Sequence, residues 1–133
     1  MINVGFIGAG NMGFAIMKGI AESEFGNSIS MHAFSPTIKL FAFDPDSEKI
    51  KKLAQYGIES CTSESEIFEK CKYVFLAVKP QMLGNVLETV SQDVKEDNVI
   101  VSICAGITGD FIKSKTIDNA KVVLVMPNTP VLL

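Results

Sequence analysis

Asn3-Val4-Gly5-Phe6-Ile7-Gly8-Ala9-Gly10-Asn11-Met12-Gly13, followed by Phe14-Ala15-Ile16-Met17-Lys18-Gly19-Ile20-Ala21, is the stretch that decides the fold. An apolar β-type run enters a glycine turn and leaves it as an apolar helical run, the context in which G-x-G-x-x-G reads as a dinucleotide turn and not as an ordinary loop. Gly8 is expected to make the tight turn, Gly10 to let backbone N–H groups approach a pyrophosphate, and Gly13 to let the helix pack close on the strand. The helix N-terminus then offers unpaired N–H groups and the positive end of its dipole to the phosphates.

Outward from this unit, β-rich runs alternate with helical patterns. Lys39 to Phe43 reads as a strand, followed by Asp44-Pro45-Asp46 and a helix from Ser47 to Tyr56 that Gly57 ends. Ile58 to Ser60 fits a short strand, and Ser63-Glu64-Ser65-Glu66 has capping-box spacing and opens a helix to about Lys70. Tyr73 to Val78 is apolar enough for a strand buried on both faces. Met82 to Val90 is expected to be a helix with Met82, Val86, Leu87 and Val90 on one face. Asn98 to Ile103 and Lys121 to Met126 read as strands, with a weaker helix at Phe111 to Lys115 between them. The expectation is one α/β domain over residues 1–133, a doubly wound, mostly parallel Rossmann sheet of order 3-2-1-4-5-6. Within Gly26 to Ile38, Ser30-Met31-His32-Ala33-Phe34 also fits a strand. Lys39 to Phe43 is preferred because a helix start follows it directly, which leaves Gly26 to Ile38 as an insertion or small hairpin.

Composition narrows the functions. At 47% hydrophobic and 20% charged residues, the chain expects both faces of its sheet to be covered, or expects a partner. A net charge of −3 and a pI near 5.1 exclude a general nucleic-acid or anionic-membrane binder. Cys61, Cys71 and Cys104 are odd in number and lack C-x-x-C spacing, so neither a disulfide framework nor a metal site is expected, and a reduced cytoplasmic setting fits. No signal peptide is read at the N-terminus, and no run approaches the roughly 18 apolar residues of a membrane span. His32 lies in the insertion, where a surface or packing role is expected. Lys49, Lys51 and Lys52 read as the solvated face of the second helix, from which they could also screen a phosphate.

In this sheet order, ligands sit outside the carboxyl ends of the strands at the switch point. Those ends carry Ala77-Val78-Lys79-Pro80-Gln81, Cys104-Ala105-Gly106 and Met126-Pro127-Asn128-Thr129-Pro130. Small residues there would let a cofactor lie against backbone and prolines would stiffen the loops, although both residue types also simply end strands. Asp44, at the end of the second strand, fits either a ribose 2′-OH acceptor or the N-cap of the following helix.

Together, GFIGAGNMG (5–13), FLAVKPQ (75–81), AGI (105–107) and MPNTP (126–130) resemble the pyrroline-5-carboxylate reductases of proline biosynthesis. The resemblance implies a domain delivering hydride from NADPH or NADH to the C=N carbon of 1-pyrroline-5-carboxylate, giving L-proline. It implies that Phe6, Ile7, Gly8, Ala9, Gly10, Asn11, Met12 and Gly13 wrap the pyrophosphate. Ala77, Val78, Lys79 and Pro80 would line the adenosine side, and Cys104, Ala105 and Gly106 would lie near the nicotinamide. Met126, Pro127, Asn128 and Thr129 would floor the reacting carbon. Such reductases carry a helical second half that builds a homo-oligomer and supplies most of the pocket for the small imine substrate. This chain is therefore expected to be the cofactor-binding part, inactive alone and with no catalytic residue of its own. The pattern departs at Glu64, where the family often has a ribose-contacting asparagine, and at Asp44, where it often has a small polar residue for the 2′-phosphate. Asp44 predicts a preference for NADH. Two alternatives stand beside this reading: a related reductase of another substrate, and a non-catalytic dinucleotide-binding module.

Overall fold

The computed structural model describes residues 2–29, with 24–29 as backbone only, and residues 38–125. Strand β1 (Ile2–Ile7) lies mid-sheet between β2 (Ile38–Phe43) and β4 (Tyr73–Leu76). Beyond β2 lies β3 (Glu59–Ser60); beyond β4 lie β5 (Val99–Ser102) and then β6 (Lys121–Leu124). The order is β3-β2-β1-β4-β5-β6 and every pair is parallel, as the alternating pattern predicts. The crossovers are α1 (Asn11–Ile29), α2 (Ser47–Ala54), α3 (Glu64–Lys70), α4 (Pro80–Val90) and α5 (Gly109–Lys115).

Alternation along the strands sorts the apolar side chains into two layers. One layer joins Val4, Phe6, Leu40 and Ala42 of the sheet to Met17 of α1, Leu53 of α2 and Ile58. The other joins Ile7, Val74, Leu76 and Ile100 to Ile67 and Phe68 of α3, Leu83 and Leu87 of α4, and Ile112 of α5. Phe6 stacks on its lateral neighbour Phe75 at 4.5 Å between ring centres. Gly5 has a role that the sequence reading missed: a Cβ there would meet Ile67 Cγ2 at 2.6 Å and Cys71 Sγ at 2.9 Å, so α3 lies directly on β1. A glycine inside a strand was the available signal.

The helix ends follow from local chemistry. Asp46 caps α2, its carboxylate accepting from Glu48 N–H. Past the end of α2, Gly57 takes φ 76° while its N–H reaches Ala54 O and that of buried Ile58 reaches Leu53 O, a Schellman stop. Ser63 caps α3 by accepting from Glu66 N–H at 3.1 Å. The Glu66 carboxylate reaches back to Thr62, accepting from its N–H at 2.6 Å and its hydroxyl at 3.1 Å, and pairs with Lys70 at 3.0 Å. The Thr62 amide, then Lys70, then the Thr62 hydroxyl hold the Glu66 carboxyl down to about 2.

Four expectations need correcting. Gly26–Ile29 are not insertion or hairpin but the last residues of α1, because a helix-interior glycine costs only about 1 kcal/mol and is not a stop. The segment Ser30-Met31-His32-Ala33-Phe34 lies outside the described residues, while the preferred second strand is present. In α4 the buried face is Leu83, Val86, Leu87 and Val90; Met82 is 51% exposed. Pro80 starts the helix two residues earlier than expected, at the position where its missing N–H costs nothing. Strands β4, β5 and β6 end at Leu76, Ser102 and Leu124, short of the expected Val78, Ile103 and Met126. Ala77, Ile103 and Val125 nevertheless still donate N–H bonds to the neighbouring strand. No helix among the described residues is long and apolar enough to cross a membrane.

Leu83→Ala should destabilise the chain by about 2–5 kcal/mol and Met82→Ala by less than about 0.5 kcal/mol, as measured by urea unfolding. Because the Glu66 carboxyl is lowered in the folded chain, its contribution is full above its unfolded value near 4.5 and is lost as pH falls toward about 2. Glu66→Gln should flatten the unfolding free energy across that window.

Candidate cofactor site at the strand ends

Parallel pairing brings the carboxyl ends of β1, β2, β4 and β5 to one rim of the sheet, and short contacts tie each end to the next. Gly8 N–H donates to Phe43 O at 2.9 Å. Ala9 N–H donates to Asp44 Oδ2 at 2.8 Å. On the other side, Ala77 N–H donates to Ile7 O at 2.8 Å and Ile103 N–H to Leu76 O at 3.2 Å. The Cys104 thiol donates to Val78 O at 3.1 Å, and Ser102 Oγ accepts from Cys104 N–H at 3.2 Å. Ser102 is buried and its carbonyl also accepts from Val125 N–H, so it ties down the β5 end. Ser102 is absent from the candidates named from sequence, although a polar residue ending an apolar strand beside a candidate site is the signal for it.

The three glycines of the turn divide into two kinds. Gly8 has φ 101°, and a Cβ there would sit 2.6 Å from Ala77 O; at Gly13 it would sit 2.8 Å from Gly8 O. The protein's own backbone demands both. At Gly10 a Cβ would meet nothing within 4 Å among the described residues, and no positive φ requires glycine. Gly10 O accepts from Phe14 N–H at 2.8 Å and so opens α1, whose first-turn amides have no carbonyl of their own helix to bond. Open ground over Gly10, beside a row of such donors, fits a phosphate group in both space and chemistry.

The other candidate residues fall into distinct places. Phe6 and Ile7 are strand residues buried in opposite core layers and present no side chain to the rim. Ala9 is buried, Met12 half-buried and Asn11 exposed. Asp44 is not the N-cap of α2, since Asp46 takes that role; Asp44 Oδ1 instead accepts from Asp46 N–H at 2.8 Å. Ala77 and Val78 are half-buried, while Lys79 and Pro80 are exposed where α4 begins. Ala105 and Gly106 are exposed beyond β5, Gly106 with φ 76°. Burial pushes the Cys104 thiol up, leaving it protonated and a packing residue. Burial likewise raises Cys61 to about 11 and Cys71 to about 12. Glu64 opens α3, where its charge suits the helix dipole. Exposed Lys51 pairs with Glu48 at 3.5 Å on the outer face of α2. Met126, Pro127, Asn128 and Thr129 lie outside the described residues.

Comparison with known proteins points the same way. Residues 3–106 match the model of the family described as NADP oxidoreductase coenzyme F420-dependent. The chain is 32% identical over 132 residues to pyrroline-5-carboxylate reductase 3 of Danio rerio, covering 99% of this chain and 43% of that protein. It is 33% identical over 131 residues to pyrroline-5-carboxylate reductase of Escherichia coli, covering 98% and 45%. The chain thus spans less than half the length of these relatives. Among solved structures, Plasmodium falciparum pyrroline carboxylate reductase with NADP bound matches with TM-score 0.76 and 29% identity, over 97% of this chain and 43% of that one. An imine reductase from Bacillus cereus, 17% identical with TM-score 0.70 over 93% and 40%, shares the fold. The expected likeness to pyrroline-5-carboxylate reductases is borne out.

Gly8→Ala should cost at least about 2 kcal/mol of stability through its positive φ and the contact with Ala77 O, whereas Gly10→Ala should change it by less than about 1 kcal/mol. Denaturant melts of the two variants check the split.

Proposed function

The chain belongs to the family described as NADP oxidoreductase coenzyme F420-dependent, and on that premise we propose that it is the NAD(P)H-holding part of a reductase that converts 1-pyrroline-5-carboxylate to L-proline. The observation that carries this reading is that the likeness to such reductases runs the length of the chain, and not only over a glycine turn that many oxidoreductases share.

In this reading the amides of Gly10, Asn11, Met12 and Gly13 take the pyrophosphate, with Phe6, Ile7, Gly8 and Ala9 holding the turn from below. Ala77, Val78, Lys79 and Pro80 flank the adenosine, and Cys104, Ala105 and Gly106 approach the nicotinamide ring. Met126, Pro127, Asn128 and Thr129 lie toward the substrate. The reduced nicotinamide would supply the hydride; the chain's own share is placement, which can account for much of the acceleration of a bimolecular transfer. The pocket for the imine, the proton donor to its nitrogen and the contacts of a homo-oligomer belong to the part of the relatives' length that this chain does not span. A cytoplasmic setting suits a reductase that uses soluble cofactor and thiols kept reduced.

Asp44 supports a preference for NADH, since a carboxylate at the end of β2 accepts from a free 2′-OH and repels a 2′-phosphate. Direct titration should give the lower Kd for NADH, and Gly10→Ala should raise both Kd values about tenfold or more by filling the phosphate ground. Equal or tighter NADPH binding overturns the preference. Steady-state oxidation of both cofactors with 1-pyrroline-5-carboxylate by the full-length gene product tests the assignment. Binding without turnover would leave a dinucleotide domain serving another substrate.

A further inference from the structure

Two amides of the glycine turn are already engaged by the end of β2, and they differ in what engages them. Gly8 N–H bonds the Phe43 carbonyl, an acceptor that any residue at that position would offer. Ala9 N–H bonds a side chain, Asp44 Oδ2, at 2.8 Å. The second oxygen of the same carboxylate accepts from Asp46 N–H at 2.8 Å, so Asp44 is gripped both by the chain entering α2 and by the turn leaving β1. Ala9 is 3% exposed, and without Asp44 its amide would be a buried donor that water reaches poorly.

We propose that Asp44 is a positioning residue for the phosphate turn: its carboxylate pins Ala9 so that the amides from Gly10 to Gly13 meet the pyrophosphate as one preformed set. The proposal rests on the dinucleotide reading above and adds a second task to the residue there assigned to the ribose. The two tasks have opposite consequences for NADPH. A residue that only reads the ribose repels the 2′-phosphate, so removing its charge tightens NADPH. A residue that also holds the turn is needed by both cofactors, so removing it weakens NADPH despite the lost repulsion.

The test combines titrations of NADH and NADPH with amide hydrogen exchange at Ala9, on the unmodified chain, Asp44→Ala and Asp44→Asn. The Ala9 amide of the ligand-free, unmodified chain should exchange at least about tenfold more slowly than that of Gly10, and Asp44→Ala should abolish the difference. Asp44→Ala should weaken NADPH about tenfold and NADH by more. Asp44→Asn keeps an acceptor oxygen for Ala9 and should restore most of the NADPH affinity, a rescue that general loss of stability would not show. NADPH binding Asp44→Ala as tightly as the unmodified chain, or more tightly, overturns the proposal. So does an unprotected Ala9 amide in the unmodified chain, a measurement that needs no variant to fold. If the unmodified chain binds neither cofactor, the dinucleotide reading falls and this proposal falls with it; intact binding with exchange at Ala9 unmoved by residue 44 overturns the positioning role alone.

Discussion

The rim depends on one steric constraint, the passage of the β1 turn against the carbonyl of Ala77. With Gly8 at φ 101° and a Cβ position 2.6 Å from that oxygen, only a residue without a side chain lets β1 close on β4 there. That closure lets Ala77 N–H reach Ile7 O and carries the pairing one residue past the last regular strand position. Gly13 extends the same constraint to the helix, since its missing Cβ lets α1 settle onto the turn. A side chain at either position would open a gap between the two halves of the sheet where the candidate site lies. Gly10 answers to a different requirement, because nothing among the described residues calls for its bareness.

Among the described residues, the chemistry at the rim is sparse. Cys104 is held protonated by burial and spends its thiol on Val78 O. Asp44 is occupied by two backbone amides. Lys79 stands at the cap of α4 without a capping bond from its side chain. Such groups are suited to holding backbone and ligand in register, the share of the reaction proposed for this chain above.

Most of the fold was legible because its determinants are local. The glycine spacing at 8, 10 and 13 fixed the first crossover, and Gly57 and Ser63 mark helix ends through chemistry that needs no tertiary partner. Errors came where tertiary context decides. Gly26 looked like a boundary, yet the helix runs through it. Met82 and Leu83 are both apolar neighbours near a helix start, and only the true first residue, Pro80, tells which one turns inward. At the site, strand-end small residues were readable from the doubly wound pattern. The double hold on Asp44 was not, because the Ala9 bond spans 35 positions and belongs to no motif.

The strand order also sets when the rim can exist during synthesis. Val4 lies between Leu40 and Tyr73, so β1 gains its second neighbour only after the chain through β4 has emerged. Until then the apolar β1 edge and the face of Phe6 that stacks on Phe75 have no cover. Pairings this distant in sequence close slowly and leave sticky intermediates exposed. Changes at the buried positions of α3 or β4, such as Ile67, Phe68 and Val74, will therefore register first as lower yield of folded chain and greater reliance on chaperones.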